Sequence, residues 1–316
     1  MSLGIRKFLQ NYSLLLILIL VILISSLISE HFLSFTNFLN VIRQISMVAI
    51  IAVGSTIVIM SGGIDLSIGS VAALGGVLFA GLAARNNLPI PIALLIVLLF
   101  GALAGLLNGG ITVGFSVPPF IVTLATMYIF QGITNLYAGG GYTAISGVPK
   151  GFDLIGSGYI WHIPIPIIIM AIVFVIFILF LNYTKYGLYI YCVGGNETAS
   201  KLFGVNVKLI KLMAYMIGGL LSALGGIILA SRLNQGNPKS GEFFLFMAIT
   251  AVILGGTSLK GGEGALIGTL IGAVILGILN NILTLRNVNY FYQLIIQGLV
   301  LMFAVILDVT LLRKAK

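Results

Sequence analysis

The sequence predicts an all-α integral membrane protein with about ten transmembrane helices and both termini in the cytoplasm. Of its 316 residues, 59% are hydrophobic and only 7% are charged, and the mean hydropathy is +1.19. Soluble domains carry about 25% charged residues, so this composition indicates a chain that is solvated mainly by lipid. The sequence lacks the alternating ten-residue segments of outer-membrane barrels, which leaves helices as the spanning elements.

Ten apolar runs are each at or near the roughly 20 residues that cross a bilayer core. We place them at residues 13–29, 45–60, 66–84, 90–113, 120–137, 163–181, 212–230, 243–256, 265–283 and 291–307. The first run is not closed by a small-x-small cleavage site, so we interpret it as a membrane helix and not as a signal peptide. Residues 31–44 mix polar and aromatic side chains, and we expect them at the interface or in a short connecting helix.

Basic residues set the predicted orientation. An even number of helices puts both termini on one side, and assigning that side to the cytoplasm places ten of the sixteen Lys and Arg residues there. These ten are Arg6, Lys7, Lys185, Lys201, Lys208, Lys211, Lys260, Arg313, Lys314 and Lys316. The net charge of +9 therefore reports topology in the inner (plasma) membrane and gives no indication of nucleic-acid binding.

A polar turn separates the second and third runs. It reads Ser61-Gly62-Gly63-Ile64-Asp65-Leu66-Ser67-Ile68-Gly69-Ser70 and contains the only acidic residue between Glu30 and Asp153. Gly62 and Gly63 should end the preceding helix, and Asp65 or Ser67 can cap the next one. A carboxylate this close to hydrocarbon is costly and is typical of pathways and gates, although a plain helix cap is the alternative.

Two further patterns concern the neighbouring helices. Gly101, Gly105 and Gly109 recur every fourth residue, which predicts a close helix–helix contact. Pro118-Pro119 interrupts the chain before the fifth predicted helix. That helix carries a row of hydroxyl and amide side chains, Thr123, Thr126, Gln131, Thr134 and Asn135. Such a row suits a neutral polyhydroxylated solute, and polar contacts between helices are the equally good alternative.

The longest polar connection, residues 182–211, contains a short helix with explicit ends. Gly194-Gly195 separates this helix from the preceding segment, and Asn196 is a good N-cap residue. Glu197 at the N-terminal end and Lys201 at the C-terminal end suit the helix dipole. Gly204 can take the left-handed conformation that ends a helix. A helix of about seven residues is not stable alone in water, so it must be held by its own domain or by a partner.

The sequence shows no recognisable set of catalytic or metal-binding residues. It has no nucleotide-binding P-loop, no His-Glu-x-x-His motif and no paired cysteines, and its single cysteine is Cys192. We therefore expect no enzyme activity, no metal site and no cofactor in this chain.

At this point the sequence resembles the membrane permease subunits of the ribose/galactose/xylose class of bacterial ABC importers, a class that includes autoinducer-2 permeases. Three segments support the resemblance: residues 62–70, residues 194–207, and the run from Leu254 to Gly264. The resemblance covers essentially the whole chain and implies a single transmembrane permease domain over residues 1–316, with a cytoplasmic coupling loop at about 182–211. It also implies import of a neutral monosaccharide, a ribose-like pentose or a hexose, by alternating access.

The resemblance also implies partners. A separate cytoplasmic ABC ATPase subunit would use ATP and Mg, and an extracytoplasmic sugar-binding protein would deliver the solute. A second permease copy, identical or a close paralogue, would complete the pore in the lipid membrane. The residues implied to dock on the ATPase are Asn196, Glu197, Thr198, Ala199, Lys201, Leu202 and Gly204.

Further roles follow from the resemblance. The implied cytoplasmic gate comprises Gly62, Gly63, Asp65, Ser67, Val117, Pro118 and Pro119. The implied path-lining residues are Thr123, Thr126, Gln131 and Asn135. The docking segment departs from the common Glu-Ala-Ala-x-x-x-Gly pattern, because Thr198 replaces the first alanine and Gly204 comes one residue late. That departure points to a docking loop like that of the vitamin B12 and siderophore importers, which also have ten helices per subunit.

Other solutes and two other classes of protein are alternatives to a monosaccharide importer. A nucleoside or autoinducer-2 is an alternative solute for the same machinery. A stand-alone secondary transporter predicts intramembrane charges for ion coupling, and apart from Asp65 the predicted spans contain none away from their ends. A membrane-bound enzyme would need a cluster of catalytic groups, which the sequence does not provide.

Overall fold

The computed structural model describes residues 3–140 and 143–307, most of which are helical. The helices are α1 Leu3–Ile28, α2 Phe35–Met60, α3 Ile68–Ala84, α4 Ile90–Gly114, α5 Pro119–Ala138, α6 Leu154–Ser157, α7 Ile165–Tyr183, α8 Lys185–Gly195, α9 Glu197–Leu202, α10 Val207–Leu233, α11 Gly241–Leu254, α12 Leu266–Leu285 and α13 Tyr290–Leu307. A two-stranded hairpin, β1 Tyr159–Ile160 and β2 Ile163–Pro164, precedes α7, and Pro238–Ser240 form a 3₁₀ turn. Arg313, Lys314 and Lys316, which were assigned to the cytoplasm, lie outside the described residues.

Six of these helices, α2, α4, α5, α7, α10 and α12, are long and apolar enough to cross a membrane. Shorter apolar helices occupy Leu14–Ile28, Ile68–Ala84 and Tyr290–Ile306. Each apolar run predicted from the sequence overlaps a helix, so the prediction of a multi-pass helical membrane protein is confirmed. The count of ten spans stays a prediction.

The start of α2 differs from the prediction. Residues 35–44 belong to one continuous helix with the membrane span, and they form no separate connecting element. Ser34 is the N-cap, and its hydroxyl accepts from the amide N–H of Asn37. The side-chain amide of Asn37 then exchanges two hydrogen bonds with Asn281 of α12, at 3.0 and 2.8 Å. Because α12 supplies a polar partner, the side-chain amide of the half-buried Asn37 is satisfied within the bundle.

The centre of the bundle is formed by α2 and α10. Every residue of α2 from Ile45 to Met60 is buried, which leaves no lipid-facing side over that stretch. The opposite holds for α7, where only Pro166, Val173, Phe174 and Leu181 are buried. A helix that is apolar all round and buried by few neighbours presents its surface to lipid, so α7 lies at the periphery.

Backbone-to-backbone contact joins α4 to α10, as the glycine spacing predicted. A Cβ atom added at Gly101 would lie 2.4 Å from the Cβ of Ala223, and one at Gly105 would lie 2.0 Å from the carbonyl oxygen of Tyr215. Small residues at such positions let two helices approach closely, which is the main source of helix association in lipid. The predicted contact surface is therefore confirmed.

We expect Gly105→Ala to destabilise the protein and Gly110→Ala, on the same helix, to have almost no effect. Overpacking costs about 1–3 kcal/mol, and at Gly105 the obstructing atom is backbone. No atom lies within 4 Å of a Cβ added at Gly110. Thermal unfolding of the detergent-purified variants measures the difference, and equal midpoints for the two would contradict the close contact.

Candidate functional site

Three glycine-rich segments, far apart in the sequence, meet at one end of the bundle. The amide of Gly262, between α11 and α12, donates to the carbonyl oxygen of Met60 at 2.9 Å. A Cβ atom at Gly194, near the end of α8, would lie 1.8 Å from that same oxygen. A Cβ atom at Gly261 would lie 2.9 Å from the amide nitrogen of Gly62. A side chain would not fit at Gly194, Gly261 or Gly262, and we call the whole set the glycine junction (Gly62, Gly194, Gly195, Gly261 and Gly262).

The turn between α2 and α3 contains a left-handed residue and a buried carboxyl. Gly62 has φ +81°, a region that favours glycine, so its predicted role in ending α2 is confirmed. The Asp65 side chain is 5% exposed, and its Oδ1 accepts from the amide of Ser67 at 2.8 Å and from the Ser67 hydroxyl at 2.6 Å. Ser67, one of the two predicted caps, occupies the N-cap position of α3, but the predicted side-chain capping bond is not made, and Asp65 closes the turn before the helix.

Side chains from three helices hold this turn in place. The Asn108 amide of α4 donates to the Ser67 hydroxyl at 2.7 Å. The carbonyl oxygen of Ile64 accepts from the Tyr215 hydroxyl of α10 at 3.2 Å and from the Thr123 hydroxyl of α5 at 3.3 Å. Burial raises the pKa of the Asp65 carboxyl, while hydrogen bonds from Ser67 and Asn108 oppose the increase. A movement of the turn must therefore break bonds to α4, α5 and α10 together.

A cavity of about 590 Å³, the inner cavity, opens beside the glycine junction. Its wall brings together residues that the sequence assigned to the gate, Gly62, Val117, Pro118 and Pro119, and residues assigned to docking, Glu197 and Lys201. Ser116 at the same wall has φ +55°, so the chain bends sharply between α4 and α5. The other gate residues, Gly63, Asp65 and Ser67, lie in the adjoining turn.

The docking segment has the helix ends that the sequence predicted. The Asn196 side chain accepts from the amide of Ala199 at 2.9 Å, which confirms the N-cap, and Gly204 has φ +80°. Glu197 forms an ion pair with Lys211 at 2.5 Å, which fastens the start of α9 to α10. A second short helix, α8, fills residues 185–195 and was not predicted.

The exposed side of α9 ends in two large apolar side chains. Leu202 is 84% exposed and Phe203 is 88% exposed, whereas Ser200 on the opposite side is buried against the domain. Thr198 and Lys201 are also exposed, and Ala199 is half-buried. The sequence prediction missed Phe203, although its place directly after Leu202 in a polar connection was a usable signal.

The predicted path-lining residues lie on the inward side of α5 and bond to the protein itself. Thr123 and Thr126 are buried and donate to backbone carbonyls, and the Gln131 amide donates to the Pro238 carbonyl at 3.1 Å. The Asn135 carbonyl oxygen accepts from Gln131 at 3.5 Å. None of the four lines the inner cavity or the outer cavity described next, so their role in the path stays a prediction.

A second cavity, the outer cavity, lies at the opposite end of the bundle. It encloses about 320 Å³ between α2, α10, α11 and α12. Its wall combines the aromatic rings of Phe243 and Phe244 with the polar side chains of Arg232, Asn237 and Asn280. The sequence prediction missed this site, because no residue spacing in the sequence indicates that these segments come together. Within residues 3–140 and 143–307 no cluster of three or more His, Cys, Asp and Glu side chains could hold a metal ion.

Apolar helices around a buried central pair define a multi-pass helical membrane protein. The chain belongs to the family described as branched-chain amino acid transport system / permease component, whose model matches residues 37–305. It is thus a permease component of an ABC import system and resides in the inner membrane.

Curated relatives match over nearly the whole chain. The ribose import permease protein of Haemophilus influenzae is 45% identical, covering 96% of this chain and 94% of its own. The ribose import permease protein of Bacillus subtilis is 43% identical, covering 92% and 90%. The galactose/methyl galactoside import permease protein of Escherichia coli is 36% identical, covering 94% and 92%. No solved structure matches the chain.

Proposed function

We propose that this chain is the pore-forming permease subunit of an ATP-driven importer of a neutral monosaccharide, with a ribose-like pentose as its solute. The observation that supports this most directly is the 45% identity, over nearly full length, to a ribose import permease. Relatives that are named for allose and for galactose also import neutral sugars, although the family description names branched-chain amino acids.

We propose further that ten helices, α1–α5, α7 and α10–α13, cross the membrane and that both termini are cytoplasmic. This is the arrangement of the vitamin B12 and siderophore permeases. Residues 1–316 then form one permease domain, with its coupling loop at about 182–211. The presence of Lys201, Lys208 and Lys211 together at the end of the bundle that holds the inner cavity supports this orientation.

In this proposal α9 and the residues around it dock on a separate ATPase subunit, which binds ATP and Mg, and this chain has no ATPase site of its own. A second permease copy completes the pore, and an extracytoplasmic sugar-binding protein delivers solute at the outer end. The exposed Leu202 and Phe203 support the docking assignment, since an interface needs apolar anchors at its centre.

The glycine junction suggests how docking reaches the gate. Gly194 and Gly195 belong to the end of α8, next to the docking helix, and Gly194 touches Met60 and Gly62, where the α2–α3 turn begins. A displacement of α9 by the ATPase would press on Met60 and Gly62 without an intervening flexible side chain. We propose that this contact opens and closes the gate, and that the hydroxyl and amide groups of α5 face the solute in the assembled pore.

Uptake measurements test the function. The chain is produced with its ATPase and binding protein in cells that lack their own pentose importers, and entry of labelled ribose and labelled leucine is compared. We expect ribose uptake that ceases when the ATPase partner is inactivated. Leucine uptake without ribose uptake would overturn the substrate class, and uptake that is independent of the ATPase would overturn the importer assignment.

We expect Asp65→Asn to lower uptake roughly tenfold without affecting membrane insertion. The change keeps the oxygen that accepts from Ser67 but replaces a carboxylate by an amide, and hydrogen bonds to charged groups are stronger by about 1 kcal/mol. Asp153→Asn, on an exposed carboxyl at the other end of the bundle, is the control. Unchanged uptake by Asp65→Asn at every ribose concentration would leave Asp65 with only a local role in the turn.

A further inference from the structure

The outer cavity has the size and lining of a site for one small solute. Its volume of about 320 Å³ lies at the lower end of the range of about 300–1,000 Å³ that is usual for ligand pockets. The floor is apolar and comes from α2, α10 and α11. Such pockets fix a ligand through a few polar groups set among apolar and aromatic side chains.

One polar group of the outer cavity has no hydrogen-bond partner among the residues that the structure describes. Arg232 is half-buried at the end of α10, and among the described residues no hydrogen bond or ion pair reaches its guanidinium. The charge of Arg43 lies close enough to repel it. A half-buried guanidinium presents up to five N–H donors to the outer cavity, so this site suits a ligand that is rich in acceptor oxygens.

The other polar groups are held in fixed positions. The Asn280 carbonyl oxygen accepts from the Gln297 amide at 2.8 Å, which fixes the plane of the Asn280 amide. The Asn237 side chain is fixed by the amide of Lys239 at 2.9 Å. The rings of Phe243 and Phe244 meet edge to face, with centroids 5.9 Å apart. Groups of fixed orientation lose little entropy when a ligand binds.

We propose that the outer cavity holds one neutral monosaccharide on its way into the pore. A C–H face of the sugar lies against Phe243, and sugar hydroxyls accept from Arg232 and bond with Asn237 and Ser240. This site lies within a single permease subunit, and none of the α5 residues assigned to the shared path lines it, although Gln131 of α5 bonds to the adjoining Pro238 carbonyl. The proposal rests on the proposed function and adds to it a defined position for the solute.

The lining also indicates which solutes are excluded. Among the side chains that the structure describes, none that lines the outer cavity is acidic, while Arg232 and Lys239 are basic. The ammonium group of an amino acid would meet the positive charge of Arg232 and, among the side chains that the structure describes, no carboxylate. A pentose carries no charged group, so ribose should bind in this cavity and leucine should not.

The test is protection of an introduced cysteine. Ser240→Cys is made together with Cys192→Ser, and the permease is assembled with its ATPase partner in lipid vesicles without ATP. A membrane-impermeant maleimide is applied from the outer side, with ribose or leucine present. When ribose is ten times above its dissociation constant, labelling of position 240 should slow about tenfold. The control is Asn86→Cys, which is exposed at the same end but does not line the cavity.

Further variants and a second probe separate the outcomes. Arg232→Gln should abolish the protection by ribose, and Gln44→Cys, on the α2 wall, should be protected like position 240. If ribose uptake is intact but neither probe is protected, the cavity assignment fails and the proposed function stands. Equal protection by leucine would also overturn the assignment. If ribose uptake itself is absent, the proposed function fails whatever the labelling shows.

Discussion

Replacing Gly194 by alanine should lower import about a hundredfold or more, whereas the same change at the adjacent Gly195 should leave import near the parent level. The added methyl group at position 194 would lie 1.8 Å from the Met60 carbonyl oxygen and 2.5 Å from the Gly262 amide nitrogen. At position 195 the nearest atom lies 3.9 Å away. Backbone atoms cannot rotate aside, so the cost should reach the upper end of overpacking, about 3 kcal/mol, which corresponds to roughly a hundredfold population shift.

Initial rates of ribose uptake measure this prediction, after normalisation to the amount of each variant in the membrane. Co-purification with the ATPase should be retained by Gly194→Ala, because the exposed side of α9 is unchanged. Retained docking with lost import would place the defect in transmission to the gate. Equal uptake by the two alanine variants would show that the glycine junction does not couple these segments.

The double change Leu202→Ala and Phe203→Ala should weaken the complex with the ATPase by at least a hundredfold and abolish import. Burial of a side chain of this kind contributes about 1.5–3 kcal/mol, so the loss of two anchors costs about 3 kcal/mol or more. Both side chains are more than 80% exposed in the isolated chain, so their truncation should not destabilise the permease itself.

Affinity capture of the ATPase by tagged permease measures the weakening of this complex. The matched control is Ile176→Ala, which shortens an exposed apolar side chain on the lipid-facing helix α7. We expect the control to retain the ATPase fully. If the double variant and the control captured the ATPase equally, the docking surface would have to lie elsewhere on the chain.

Much of the fold followed from hydropathy, because a chain in lipid must satisfy its backbone within each apolar run. Prediction and structure differ mainly in polar segments of the chain. Residues 35–44 extend α2, and the Asn37 side chain bonds to Asn281 across the bundle. A contact between residues 244 positions apart has no local signal in the sequence. The helix α8 was missed because residues 185–195 lack an acidic first turn and end in two glycines.

The candidate site was predictable in its parts but not in its assembly. Helix ends at Asn196 and Gly204 have local signals, and the structure has both. That Gly62, Gly194 and Gly261 touch had no signal, because a glycine has no side chain whose pattern would indicate a partner. The capping bond expected from Asp65 or Ser67 is not made, because the Asp65 carboxyl accepts from Ser67 instead, and that contact depends on the conformation of a two-glycine turn.

The complete burial of α2 between Ile45 and Met60 has a consequence for how the protein is made. Its main partner, α10, begins only at Val207, so about 150 residues are synthesised after α2 has left the ribosome. At about 5–20 residues per second this takes roughly 10–30 seconds. During that interval the hydroxyl groups of Ser55 and Thr56 face lipid or an insertion factor. We therefore expect nascent chains that stop before α10 to be the preferred substrates of membrane quality-control proteases.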